Sequence, residues 1–155
     1  MTLQLGMLGL GRMGAGMVRR MMKAGVRCVV YDVNPDAVKA LEAEGAIGAT
    51  DIADFASKLE APKTAWMMLP VALVDGMIDE LAPHFGKGDM LVDGGNSYYK
   101  DDLRRAKHLA EKGIHYVDVG VSGGVWGLER GYCQMVGGPD EAVKHLSPAD
   151  RKSTR

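Results

Sequence analysis

Residues 3–14 read LQLGMLGLGRMG, and this stretch decides the fold. Leu3 to Leu8 is an apolar run of strand length, and Gly9, Gly11 and Gly14 follow it in the pattern G-x-G-x-x-G. The period then changes: Met13, Met17, Met21 and Ala24 share one helical face, and Gly25 is placed to end that helix. Each glycine has a mechanical task at a strand-to-helix turn. Gly9 permits the tight turn, Gly11 lets backbone approach a pyrophosphate, and Gly14 lets helix and strand pack closely. Free N–H groups and the positive end of the helix dipole complete a phosphate cradle. Glycine makes up 21 of 155 residues, so the pattern alone is weak. Its position between a strand and a helix is what separates it from a plain turn.

Working outward, Val26 to Tyr31 is a second buried strand ending at Asp32, 18 residues after Gly14. That is near the spacing of the acid that binds an adenosine ribose. A carboxylate there accepts from the ribose hydroxyls of NAD and repels the 2′-phosphate of NADP. Val33 and Asn34 supply no cation to offset the repulsion. The other reading of Asp32 is a turn former before Asn34-Pro35, where Asn34 caps a helix and Pro35 takes its first position.

The remaining chain alternates in the same way. Gly45 closes the second helix, and a third covers Ile52 to Leu59. Thr64 to Leu69 is a strand stopped by Pro70. Leu73 to Leu81 reads as a helix, Met90 to Val92 as a strand, and Tyr99 to Lys112 as a charged helix ending at Gly113. Strands at Ile114 to Val119 and Tyr132 to Val136 follow, then a helix at Pro139 to Leu146. Strands apolar on both faces alternating with helices imply an α/β fold of Rossmann type, with a doubly wound, mainly parallel sheet. The expected domain is 1–146, with 147–155 (SPADRKSTR) a disordered polar tail.

Composition narrows the class. The 19 basic residues nearly balance 20 acidic ones, which gives no basic field for nucleic acid. No apolar run approaches a membrane span, and residues 1–10 lack a signal peptide's features. Cys28 and Cys133 lie in apolar stretches without metal-site spacing, so buried free thiols and a cytoplasmic location are expected. No metal site is expected.

Two further segments carry function. Asp93-Gly94-Gly95-Asn96-Ser97 follows one strand, and Gly120-Val121-Ser122-Gly123-Gly124 follows the next. Both lie where ligands bind in open α/β sheets, beyond the carboxyl ends of strands. Ser122 offers a hydroxyl, Gly123 and Gly124 unobstructed N–H groups, and Asn96 both a donor and an acceptor. The alternative is that both glycine pairs merely shape turns. Trp126 either walls the pocket or packs on its own domain. The histidines read as solvated or structural.

The fingerprint, the D-G-G-N-S, the G-V-S-G-G and the strand ending in V-G-G at Val136 to Gly138 together resemble the 6-phosphogluconate dehydrogenase family, from Met1 to about Leu146. The related β-hydroxyacid dehydrogenases, such as those for 3-hydroxyisobutyrate, typically lack the D-G-G-N-S. The resemblance implies an NAD-preferring oxidoreductase that decarboxylates 6-phosphogluconate to ribulose 5-phosphate in the pentose phosphate pathway. It implies cofactor contacts from Gly9, Leu10, Gly11, Arg12, Met13, Gly14, Asp32, Asn34, Leu69, Pro70, Val71 and Asn96. It implies substrate contacts from Asn96, Ser122, Gly123 and Gly124, and a homo-oligomer for full-length members. The family's catalytic lysine and glutamate come from a helical region that follows, and no residue here sits in the matching context. The chain thus reads as an N-terminal portion, inactive alone. Two alternatives are a dehydrogenase for a smaller β-hydroxyacid and a non-catalytic NAD-binding module.

Overall fold

The computed structural model describes residues 3–95 and 97–154, with backbone alone at 125, 150 and 152–154. Seven strands form one sheet: β1 (Gln4–Leu8), β2 (Arg27–Tyr31), β3 (Ile47–Gly48), β4 (Thr64–Met67), β5 (Met90–Asp93), β6 (His115–Ser122) and β7 (Cys133–Gly137). Their order is β3-β2-β1-β4-β5-β6-β7; the first six are parallel and β7 runs antiparallel to β6. The order reverses between β1 and β4, where an open α/β sheet leaves its crevice.

Among the described residues seven α-helices cover the sheet: α1 (Arg12–Lys23), α2 (Pro35–Glu42), α3 (Ile52–Ser57), α4 (Val71–Leu81), α5 (Tyr99–Ala110), α6 (Gly127–Arg130) and α7 (Asp140–Thr154). Alternation along the strands sorts the core into two layers. Leu5, Met7, Val30, Trp66 and Val119 pack with Met17 and Met21 of α1 and with α7. Leu8, Val29, Met67 and Leu91 pack with Phe55, Val74 and Leu109 of α3, α4 and α5. No helix among the described residues is long and apolar enough to cross a membrane.

Local signals work as expected at several ends. Gly25 and Gly45 take positive φ after α1 and α2, and the Asn34 side chain accepts from Asp36 N at 3.0 Å. Four expectations need correction. Ala24, expected on the buried face of α1, is exposed at its end, because Val18 and the small Gly14 and Gly16 carry the contact instead. Residues 147–154 are not a disordered tail: α7 continues through Pro148 to Thr154, since Ala142, Leu146 and Ala149 form a buried stripe at helical spacing against α1 and β6. Cys28 is buried but Cys133 is exposed, because it lies on the uncovered face of the edge strand β7. Finally, β6 is not apolar on both faces: Val117, Val119 and Val121 face one core, while Tyr116, Asp118, Gly120 and Ser122 share the α5 side.

Candidate active site

The glycine-rich turn is held by its own backbone. Gly9 takes φ 89° and donates to Tyr31 O at 3.1 Å, and a Cβ there would collide with the Met68 carbonyl. A Cβ on Gly14 would collide with the Gly9 carbonyl, so both glycines are required by packing. Gly11 differs. A Cβ there would meet nothing within 4 Å, so nothing inside the chain requires that glycine. It stands at the start of α1, a twelve-residue helix with no side-chain cap and no acid in its first turn. Its free N–H groups therefore face an open position suited to an anion.

Asp32 has two tasks on its two oxygens. Leu10 N donates to Oδ2 at 2.7 Å and Asn34 N to Oδ1 at 2.8 Å, so the carboxylate pins the glycine turn as well as its own. Each oxygen keeps a further lone pair for a ligand hydroxyl. Asp32 lines a cleft of about 490 Å³ with Gly9, Gly11, Val33, Leu69, Pro70, Leu73, Gly76 and Met77. Val33 stands at its rim with 86% of its surface exposed.

Not every predicted cofactor residue lines that cleft. Leu10 is buried, Met13 packs against the core, and Arg12 is exposed at the first turn of α1. The Asn34 side chain is engaged in capping α2. Val71, which opens α4, is 42% exposed and stands outside the cleft lining, whereas Leu69 and Pro70 lie within it. Asn96 lies outside the described residues.

Its neighbours are well fixed. Gly94 N donates to Met67 O at 2.9 Å, and a Cβ on Gly95 would come within 2.5 Å of the Leu69 carbonyl. The D-G-G turn is therefore pressed against the end of β4, which also walls the cleft. Asp93, fully buried, accepts from Gly95 N at 2.9 Å, from Ser97 Oγ, and from the Tyr116 hydroxyl at 3.1 Å.

Behind Asp93 lies a network that sequence reasoning missed. The Tyr116 hydroxyl also lies 2.8 Å from Asp102 Oδ1, so its single proton is shared between the two carboxylates. Arg105 Nη1 lies 3.5 Å from Asp102 and 3.6 Å from Asp93, and its Nε donates to Asp75 of α4 at 2.8 Å. Burial pulls the guanidinium's pKa down, but Asp75 and Tyr116 outweigh it and raise it overall. Arg105 in turn holds Asp75 below the usual carboxylate range. Burial pushes Asp102 upward, and burial with Asp102 and Asp93 pushes Asp118 up to about 6. The available signal was the polar set Tyr116, Asp118, Gly120 and Ser122 on one face of a strand.

The S-G-G turn overhangs this region. Asp93 pairs with Asp118, and β6 runs four residues further to Ser122, roughly 13 Å along the sheet at about 3.3 Å per residue. Ser122, Gly123 and Gly124 are all exposed, and the two glycines take φ 148° and 49°. Tyr132, 2% exposed, is wedged beneath them: a Cβ on Gly16, Gly123 or Gly127 would strike its ring or hydroxyl. Trp126 is 59% exposed and stacks with Arg130, so it is not packed into its own domain.

A cleft at the sheet's reversal point, with the D-G-G and S-G-G turns on consecutive strands beside it, matches a known domain. Residues 4–152 fit the NAD binding domain of 6-phosphogluconate dehydrogenase. The chain belongs to this family. The match runs past Leu146, in agreement with the full length of α7. An NAD(+)-dependent, decarboxylating 6-phosphogluconate dehydrogenase of Haloferax volcanii is 42% identical over 147 residues, covering 94% of this chain and 48% of that one. Plasmodium falciparum 6-phosphogluconate dehydrogenase, studied with NADP+ and 6-phosphogluconate, superposes with a TM-score of 0.89 at 28% identity, covering 98% of this chain and 34% of that one. A 3-hydroxyisobutyrate dehydrogenase of Salmonella typhimurium superposes with a TM-score of 0.87 at 26% identity, covering 99% and 54%. The chain spans about half the length of the curated relatives it matches first.

Proposed function

We infer that this chain is the cofactor half of an NAD-dependent 6-phosphogluconate dehydrogenase, which oxidises and decarboxylates that sugar acid to ribulose 5-phosphate. The observation that carries this reading is the D-G-G turn, whose Gly95 is pressed against Leu69 of the cleft wall, a position that would lie beside a bound cofactor. Gly11 and the start of α1 would hold the pyrophosphate, and Asp32 the adenosine ribose. Leu69 and Pro70 would line the cofactor's path. Asn96, Ser122, Gly123 and Gly124 would hold the substrate's hydroxyls and carboxylate. NAD, when bound, accepts the hydride; the chain's own residues bind and orient. Proton transfer by a positioned base contributes about 10²–10⁴-fold, and no residue of this chain is assigned that role. NAD is favoured over NADP because Asp32 presents its charge at the cleft and the exposed Val33 beside it has no cation.

Calorimetry tests both halves of the reading. NAD should bind at least tenfold more tightly than NADP, and Asp32→Ala with Val33→Arg should narrow or invert the preference. With NAD saturating, 6-phosphogluconate should bind more tightly than 3-hydroxyisobutyrate, while NADH formation stays more than a hundredfold below that of a full-length relative. Equal affinity for the two cofactors overturns the ribose assignment. Tighter binding of 3-hydroxyisobutyrate would favour the smaller β-hydroxyacid as substrate.

A further inference from the structure

Arg105 is a guanidinium placed where a helix would ordinarily present leucine. It is 3% exposed, yet it lies in α5, whose sequence YKDDLRRAKHLA looks solvated throughout. The exposed leucine of that helix is Leu103, at 66%. The helix has thus turned a charged stripe, Asp102 and Arg105 with Leu109, toward the sheet. Such an inversion is costly unless the buried charges have partners; Arg105 and Asp93 have them, and Asp102 is partnered through Oδ1 while its Oδ2 is buried without a hydrogen bond.

Those partners lie on three elements. Through Asp93 of β5, Arg105 reaches the acceptor that holds Gly95 N and Ser97 Oγ on either side of residue 96. Through Asp75 it holds α4, whose neighbouring residues Leu73, Gly76 and Met77 line the dinucleotide cleft. Through Asp102 and the Tyr116 hydroxyl it is tied to β6, the strand that carries Ser122. Arg104 adds a second hold on Asp75, at 2.9 Å, from the exposed side. One cation therefore stands between the cofactor wall and the turn on the substrate side.

We propose that Arg105 is a positioning residue that fixes the turn after β5 in register with the α4 wall of the cofactor cleft. It touches neither ligand. It acts through Asp93 on the turn and through Asp75 on the wall. This deepens the functional reading above and rests on it for the substrate's identity, but the geometry can be tested without any ligand. A lysine could keep one charge contact and would lose the fork that spans Asp75 and Asp93 together.

The test compares the unmodified chain with Arg105→Lys, Arg105→Met and the milder Asp75→Asn, which alters a half-exposed side chain. Hydrogen exchange of the ligand-free proteins is read at the Gly95 amide and through α4, against the amides of β1 and β2. Arg105→Met should speed exchange at Gly95 by at least tenfold relative to the β1–β2 reference. Arg105→Lys should fall between, and Asp75→Asn should affect α4 more than Gly95. Calorimetry then separates the subsites: in Arg105→Met, 6-phosphogluconate affinity with NAD present should fall at least tenfold and NAD affinity less than threefold. Unchanged relative exchange at Gly95 overturns the proposal. So does equal acceleration in β1 and β2, which would make Arg105 a general prop of the fold. If Gly95 exchange accelerates while the unmodified chain binds no 6-phosphogluconate, the positioning role stands and the substrate assignment falls.

Discussion

The two halves of the sheet support their ligand turns by different means. From β1 to β4 the turn is shaped by backbone: Gly9 and Gly14 touch carbonyls, and the carboxylate that holds the turn, Asp32, sits at the surface of the cleft. After β5 glycine is needed too, since a Cβ on Gly95 would meet the Leu69 carbonyl, but there the turn is also held by buried charge, with Asp93, Asp102 and Arg105 almost wholly out of water. The first design depends on the absence of side chains, so single glycines are critical. The second depends on matched charges, so its sensitivity is to partners and to pH.

The largest effect should come from the glycines. Gly14→Val forces a branched side chain into the Gly9 carbonyl and should destabilise the fold by about 3 kcal/mol or more, read as a lowered thermal midpoint. A Cβ at Gly11 meets no protein atom within 4 Å, so Gly11→Val should melt like the unmodified chain, yet lose NAD binding in a fluorescence titration. Equal melting of the two variants would break the distinction between a glycine needed for packing and one needed for a ligand.

A smaller effect should appear in the charged half. Asp118, raised to about 6, holds its proton more tightly folded than unfolded, where a free aspartate titrates near about 3.9. Its favourable contribution is therefore full below pH 4 and is lost as pH rises through about 6. Asp118→Asn should leave the midpoint unchanged at pH 4 and raise it by about 1–2 °C at pH 7.5. Scanning calorimetry of the pair across this range measures the difference, and a variant less stable at pH 7.5 would contradict the assigned strain.

The smallest effect concerns the two thiols. Burial pushes Cys28 up to about 12, so it should resist a disulfide reagent until the chain unfolds. Cys133 should react at once, and Cys133→Ser should shift stability by less than about 0.5 kcal/mol. Slow reaction of Cys133 would mean that something covers the β7 face in solution.

This contrast also explains what could be read from sequence. The backbone-built half was legible: the three glycines, Asp32 and the Asn34-Pro35 start all stand where their spacing put them. Within it β3 escaped, because a two-residue strand has no periodicity, and Ala24 was expected on a buried face that ends before it. The charge-built half was legible in its motifs but not in its support. The sequence reads Tyr99 to Lys112 only as a charged helix, and nothing in that reading singles out Asp102 and Arg105 as buried or Leu103 as exposed. Residues 147–154 misled for a related reason: the tail looks polar until Ala149 is seen to complete the stripe begun by Ala142 and Leu146.

The central position of β1 has a consequence for how the chain is made. Among the described strands β1 precedes the rest in the chain, yet its second neighbour is β4, about 60 residues later. At roughly 5–20 residues per second, the ribosome delivers that partner about 3–12 s after β1 itself. Throughout that interval Leu8 and Gly6 have no strand on their β4 side, and the sheet grows from one edge only. The segment that founds the cofactor turn therefore waits with one edge open until β4 is made, and an unpaired strand edge is a template for pairing with neighbouring chains.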